Sequence, residues 1–345
     1  MAQPHLIEPA YLTALADGTI KQVNPFTGTR VWTVPGRGNR PITPPAVDAR
    51  PLDPAQAGRA CAFCERRYLE TPPEKTRLVH TDQGWSQLDH LPVERLFETE
   101  AEFRVIPNLF EILSYDYWHA NYGYELPPAV AERRRAYLAT KAGRDHVVAV
   151  CLNKLRAAGR NEGEIKSLGQ DQIIALATGF FGGGHDVVIA RRHFTDGAAD
   201  SSDLAGSGTL SREEHAQYIR LTVDSLRRLY DSNRYARYVA VFQNWLKPAG
   251  ASFDHLHKQL VAIDEHGNNL DLSLTRARDN ANIFNEAGVN YASYRNLLIA
   301  ENDCAVAFAG FGHRYPTVEI YSKSVEPEPW EQAPHEVEQM SDLIH

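Results

Sequence analysis

Residues 244–259 read Asn-Trp-Leu-Lys-Pro-Ala-Gly-Ala-Ser-Phe-Asp-His-Leu-His-Lys-Gln, between two β-branched apolar runs at 238–242 and 259–263. Each run has the composition of a strand. His255 and His257 follow the small-residue loop Ala249-Gly250-Ala251-Ser252. Side chains two apart on a strand share a face, so both imidazoles point the same way. Backbone rich in small residues can also approach a ligand closely. An imidazole nucleophile beside amide N–H groups suits phosphate chemistry. Taken alone, the His-x-His pair reads equally well as a pair of metal ligands.

The bulk properties narrow the setting. With 345 residues the chain has room for two ordinary domains or one large one. Its 43% apolar and 23% charged residues are those of a globular protein. A net charge of −8 argues against a general nucleic-acid surface, so phosphate binding must be local. There is no run of about 18 apolar residues, so no membrane span is expected. The N-terminus lacks a basic stretch followed by an apolar one, and the cytoplasm is the expected compartment. Four cysteines are too few for a disulfide framework in this length. Two of them form Cys61-Ala-Phe-Cys64, which in a reducing compartment indicates metal or redox use.

Along the chain, residues 24–54 are rich in Pro, Gly and Arg, with a short strand expected at 31–34. Residues 103–108 read as a strand ending at a proline. Helices are expected over 127–157 and around 163–179. A glycine turn from Gly182 leads into a strand through Ala190, and 196–208 is a polar loop. Ser211-Arg-Glu-Glu214 is a capping box opening a helix to about Tyr230. Residues 296–308 read as two short strands, 316–323 as another, and 331–344 as a helix. Strands with interposed helices, and no fixed-period repeat, indicate an α+β fold with a largely antiparallel sheet.

Several separated segments together resemble the galactose-1-phosphate uridylyltransferase family, a branch of the histidine-triad superfamily. Residues 24–41, with their Asn-Pro, Gly, Trp and closing Arg-Pro, look like the family's opening segment. Cys61-Ala-Phe-Cys64 followed by Thr71-Pro-Pro looks like its zinc-binding start, and 103–108 like its next strand and nucleotide-contacting Asn. Residues 184–193 are similar to the strand ending in a further zinc-ligand histidine. Residues 244–259 match the active-site segment with the family's Asn-to-Gln spacing, and this is the most specific part. The resemblance is good over roughly 20–265 and weak beyond. It departs from the pattern at Arg191-Arg192, where the family has Pro-Asp, and at Leu256 and Lys258, where the family has Pro and Gly. A largely helical insertion separates Asn108 from Gly182.

The resemblance implies a histidine-triad-like fold, one full half and a partial second one. Residues 1–265 would be the catalytic half, with a zinc-binding N-terminal segment and a helical insertion at about 126–180; residues 266–345 would be the partial second half. It also assigns roles. His257 is the nucleophile that takes a nucleoside monophosphate from a nucleotide sugar. Gln259 donates to a phosphoryl oxygen without titrating, and Gly250, Ala251 and Ser252 form the phosphate cradle. Asn108, Asn244 and Lys247 contact the substrate. Cys61, Cys64, His193 and His255 hold a structural Zn2+, with His185 the alternative third ligand. Cys151 and Cys304 read as buried small residues. The expected activity is nucleotidyl transfer to a sugar 1-phosphate, uridylyl transfer to a hexose 1-phosphate first. A phosphorylase using inorganic phosphate on an ADP- or GDP-sugar or a dinucleoside polyphosphate, a hydrolase and a non-catalytic nucleotide-binding protein are the alternatives. The partners are a nucleotide sugar and a phosphate or sugar-phosphate acceptor, with no nucleic acid and no membrane; homodimerisation stays open.

Overall fold

A computed structural model of the chain describes residues 11–37 and 49–345. Strands β1 (Leu12–Ala14), β2 (Ile20–Val23) and β3 (Arg30–Thr33) form a three-stranded antiparallel sheet. Strands β4 (Thr76–Thr81), β5 (Gly84–Asp89), β6 (Phe103–Pro107), β7 (His185–Ala190), β8 (Tyr238–Phe242) and β9 (His257–Ile263) form a six-stranded sheet in the order β5-β4-β6-β7-β9-β8. Every pairing in it is antiparallel. Strands β10 (Leu298–Glu301), β11 (Ala305–Ala309) and β12 (Val318–Ser322) form a third, antiparallel sheet. The expected α+β class with a mainly antiparallel sheet is the observed one. No helix among the described residues is long and apolar enough to cross a membrane.

The chain divides into two compact units, residues 47–265 and residues 1–46 with 266–345. The first segment, grouped with the catalytic half from sequence, thus clusters with 266–345. Its physical ties are visible: Tyr11 lies edge-on to Tyr291 and stacks near Phe311, Phe26 stacks on Phe284, and the Asn24 amide donates to the Phe311 carbonyl. Residues 38–41, which close the family-like opening segment, lie outside the described residues.

In the larger unit, β7 and β9 are adjacent interior strands. Alternation sends Val188, Ala190, Leu260 and Ala262 to one face, where they pack with Tyr218, Leu221 and Leu229. Those three belong to the long helix Arg212–Ser232, opened by the capping box of Ser211 and Glu214 as expected. The opposite face carries Ile106, Val187 and Ile189, with Phe63 packed on them. This face holds the candidate site.

The helical insertion differs from its expected form. Residues 127–157 make two helices, Pro128–Ala139 and Lys141–Ala157, broken at Thr140. Thr140 is extended and its hydroxyl accepts from the Gly143 amide, so it caps the second helix instead of continuing the first. Residues 163–179 hold short helices, Glu162–Ser167 and Gln170–Ala175. Cys151 is buried, whereas Cys304 is only half-buried.

Candidate active site and metal cluster

Strand β9 sets the site through its register. His257 pairs with Ile189, Gln259 with Val187 and Val261 with His185. Paired residues share a face, and the diagonal neighbour lies within reach of a long side chain. His257, Gln259 and His185 therefore look onto one cavity of about 470 Å³, walled also by Asn108, Phe110, Ile112, Phe63, Phe253 and Ser252. Among the described residues that line the cavity, Glu70 is the only acidic side chain and none is lysine or arginine. A second cavity of similar volume is lined by Lys75, Arg133, Asp186 and Arg228 and lies against the opposite face. Its Lys75 is already paired with Asp186 at 2.6 Å, and it contains neither His257 nor Gln259.

The His257 ring is buried and fixed. Its Nδ1 donates to the His255 carbonyl at 2.7 Å, which leaves the Nε2 lone pair for chemistry. Burial lowers the pKa of His257 below the ordinary histidine value, so the ring is neutral at neutral pH. Strand β9 begins only at His257, and His255 precedes it. The His255 ring takes a different neighbourhood. Its Nε2 donates to the Ala190 carbonyl at 2.6 Å, so Nδ1 presents a lone pair to the sulfurs of Cys61 and Cys64 at 3.5 and 3.8 Å.

Those sulfurs complete a cluster. Cys61 and Cys64 Sγ are 3.9 Å apart, and His193 Nδ1 is 3.6 Å from Cys64 Sγ. The four ligand atoms all lie within 4.8 Å of one another. A tetrahedral ion with metal–sulfur bonds of about 2.3 Å and metal–nitrogen bonds of about 2.0 Å needs edges of about 3.8 Å between sulfurs and about 3.5 Å from sulfur to nitrogen. The four distances of 3.9, 3.5, 3.6 and 3.8 Å lie near those edges, and the cluster could hold a metal ion. The Cys61 thiol and the His193 and His255 rings hold the Cys64 thiol far below its ordinary pKa, which is the state a ligand requires. Arg191 and Arg192, which stand where Pro-Asp was expected, pair with Glu102 at 3.0 Å and Glu214 at 2.7 Å and so secure the loop that carries His193. His185, the alternative ligand, is not in the cluster; it sits beside Gln259 and Asn108.

The other sequence-derived residues are placed unevenly. Ser252 and Asn108 line the cavity. Gly250 adopts φ +88°, a left-handed conformation suited to glycine, beside the Asn244 amide. Lys247, in the turn Lys247–Ala249, is exposed, Ala251 is buried, and neither lines the cavity. Sequence reasoning passed over Phe63. Its ring lies edge-on to His257 at 5.4 Å and against Phe253 at 4.4 Å, so the Cys-x-x-Cys turn itself supplies a wall of the site. The only signal was its place between the two cysteines.

Glu111, next to the wall residues Phe110 and Ile112, is half-buried, with its Oε1 buried and unpartnered. A Cβ on Gly183 would fall 1.7 Å from that oxygen, so the glycine turn is required by close approach. Burial pushes the Glu111 carboxyl up to about 7 from the ordinary 4.5. The folded state binds this proton more tightly than the unfolded chain. Its contribution to stability is therefore complete below about pH 4.5 and is lost as pH rises through about 7. Glu111→Gln is expected to stabilise the protein at pH 8 by about 1–3 kcal/mol and to change little at pH 4.5. Urea unfolding at the two pH values checks this; an equal effect at both contradicts it.

A family model described as a domain of unknown function, DUF4921, matches residues 15–345. The chain belongs to this family. No curated protein matches the DUF4921 chain in sequence. Among solved structures it is similar to an ADP-glucose phosphorylase from Arabidopsis thaliana with bound ADP-glucose, at 18% identity and a TM-score of 0.52, over 94% of this chain and 74% of that one. It also matches a GalT-like protein from Arabidopsis thaliana at 19% identity, with a TM-score of 0.49 over 83% and 68% of the two chains. A uridylyltransferase structure matches at 17% identity, with a TM-score of 0.38 over 46% and 49%. The resemblance of the DUF4921 sequence to the galactose-1-phosphate uridylyltransferase family thus holds at the level of fold, through the first of these structures.

Proposed function

We propose that the chain is a nucleotidyltransferase that works by double displacement through His257. The observation carrying this reading is the buried, neutral imidazole whose Nδ1–H is tied to the His255 carbonyl. Its free Nε2 faces a cavity large enough for a small ligand and furnished with neutral donors. Nε2 attacks the α-phosphorus of a nucleotide sugar. The bond from phosphorus to the sugar 1-phosphate oxygen breaks, and sugar 1-phosphate leaves with the electron pair. A second phosphate oxygen then attacks the nucleotidyl-histidine, the N–P bond breaks, and its pair returns to Nε2. Gln259 and Ser252 supply hydrogen bonds to the phosphoryl oxygens, and the φ +88° turn at Gly250 lets backbone N–H groups approach them. Asn108 contacts the nucleotide from the cavity wall; Asn244 and Lys247 lie outside that wall and are assigned to the part of the substrate that extends past Ser252.

Zn2+ is the metal we assign to Cys61, Cys64, His193 and His255, since two thiolates and two imidazoles make a closed tetrahedral set. It acts structurally and needs no open position. By clamping Cys61 and Cys64 to His255, it fixes Phe63 against His257.

The first-choice reaction is uridylyl transfer to a hexose 1-phosphate. A phosphorylase that uses inorganic phosphate on an ADP- or GDP-sugar is the second reading, favoured by the fold likeness to a protein named ADP-glucose phosphorylase. Isotope exchange separates them. With UDP-, ADP- and GDP-sugars in turn, a labelled hexose 1-phosphate whose sugar differs from the donor's is expected to enter the nucleotide-sugar pool under transfer, whereas the donor's own sugar 1-phosphate exchanges under either reading. Labelled inorganic phosphate is expected in the nucleoside diphosphate under phosphorolysis. Exchange into neither pool with any sugar nucleotide counts against both.

A further inference from the structure

His185 lies on the cavity side of β7, diagonal to Gln259 across the β7–β9 pair. It is buried, and neither the metal cluster nor the attack on phosphorus uses it. Of the contacts around its ring, the one to a backbone amide decides its state. The backbone N–H of Ile112 points at Nδ1 at 3.3 Å. A backbone amide can only donate, so Nδ1 must accept and the ring proton must sit on Nε2. Nε2–H then requires an acceptor, and the Oε1 of Gln259 lies 3.1 Å away. Once that oxygen is taken, the Gln259 NH2 is the end of the amide left for a ligand. Burial holds the pKa of His185 down at about 4, so the neutral ring and its single proton persist at neutral pH.

Asn108 competes with this state: its Oδ1 accepts from the Phe110 backbone N–H at 2.9 Å, so its NH2 faces the ring. That NH2 lies 3.0 Å from His185 Nε2, on the ring edge where Gln259 is bound. The Gln259 amide, whose orientation is ordinarily ambiguous, is thereby set with its donor outward, in a cavity whose described lining holds no lysine or arginine.

We infer that His185 is a positioning residue: it locks the Gln259 side chain with its NH2, not its oxygen, toward the phosphoryl group. An amide free to rotate would present its oxygen to an anionic phosphate for part of the time, and that contact is repulsive. The lock removes this orientation before substrate arrives, the condition under which a hydrogen-bond donor stabilises developing charge most. This inference rests on the nucleotidyl-transfer reading of His257.

The test is a double-mutant cycle of His185→Leu and Gln259→Ala, read as the single-turnover rate of nucleotidyl-protein formation with the nucleotide sugar that labels wild type best. Melting temperature and zinc content of each variant report folding separately. In the Gln259 background, His185→Leu is expected to slow adduct formation by about 10- to 100-fold, somewhat below the loss typical of deleting a whole oxyanion donor. In the Gln259→Ala background the same change is expected to alter the rate by about twofold or less, since nothing remains to be oriented. His185→Gln, which can still donate to Gln259, recovers part of the rate. An equal loss in both backgrounds, or no loss in either, overturns the inference. Nitrogen-15 spectra of histidine-labelled protein read the tautomer directly, and an Nδ1-protonated His185 also overturns it. A wild type that labels with no nucleotide sugar removes the transfer reading and the role together, while the spectra still report whether the lock exists.

Discussion

His257→Ala is expected to lower nucleotidyl transfer by at least about ten-thousand-fold, the scale seen when a covalent nucleophile is deleted. The argument is geometric. Among the described residues no other imidazole both lines the cavity and has a nitrogen left open toward it: His185 uses Nδ1 and Nε2 on Ile112 and Gln259, and His255 uses both on Ala190 and the cysteines. The substitution leaves the four cluster residues in place, so metal content should not change. Exchange kinetics with a labelled acceptor measure the effect. A residual rate within tenfold of wild type would place the nucleophile elsewhere.

The second large effect concerns the cluster. Cys64→Ser is expected to release the metal and to unfold the larger unit at a lower temperature. Cys64 is fully buried and lies within 4 Å of Cys61, His193 and His255, so its loss removes a ligand that bulk water cannot replace. A metal held at about a thousand times its Kd contributes about 4 kcal/mol to folding. For a domain of this size that corresponds to about 8–16 °C in Tm. The sign follows from binding to the folded state alone, so a strong chelator should reproduce the loss on wild type and leave Cys64→Ser unaffected. Elemental analysis and calorimetry together check it. Unchanged metal content with an unchanged Tm would show that the four residues are a reduced, metal-free cluster.

Local signals survived folding where local physics decides. The β-branched runs of β7, β8 and β9 and the capping box at Ser211 appear where periodicity and capping place them. The His-x-His pair divides its work because β9 begins at His257: the first ring turns to the sulfurs and the second to the cavity. What the sequence concealed is long-range or masked by charge. Strand β4 contains Arg77, which is buried and paired with Glu74 at 2.5 Å; a charge in the middle of a run hides a core strand. The break at Thr140 depends on one hydroxyl choosing the Gly143 amide over helix continuation. His185 read as a spare metal ligand because its role depends on the register of β7 against β9 and on the Ile112 amide, 73 residues upstream. The grouping of the first segment with 266–345 rests on aromatic contacts that no local pattern announces.

The central claim is that His257 Nε2 becomes bonded to phosphorus. Intact-mass measurement of protein incubated with a nucleotide sugar, quenched in base because N–P bonds are acid-labile, tests it most directly. Wild type is expected to gain the mass of one nucleoside monophosphate, to lose it on adding a phosphate or sugar 1-phosphate acceptor, and to lose it in acid. His257→Ala is expected to gain nothing. No gain on wild type with any nucleotide sugar, or the same gain on His257→Ala, would contradict the account.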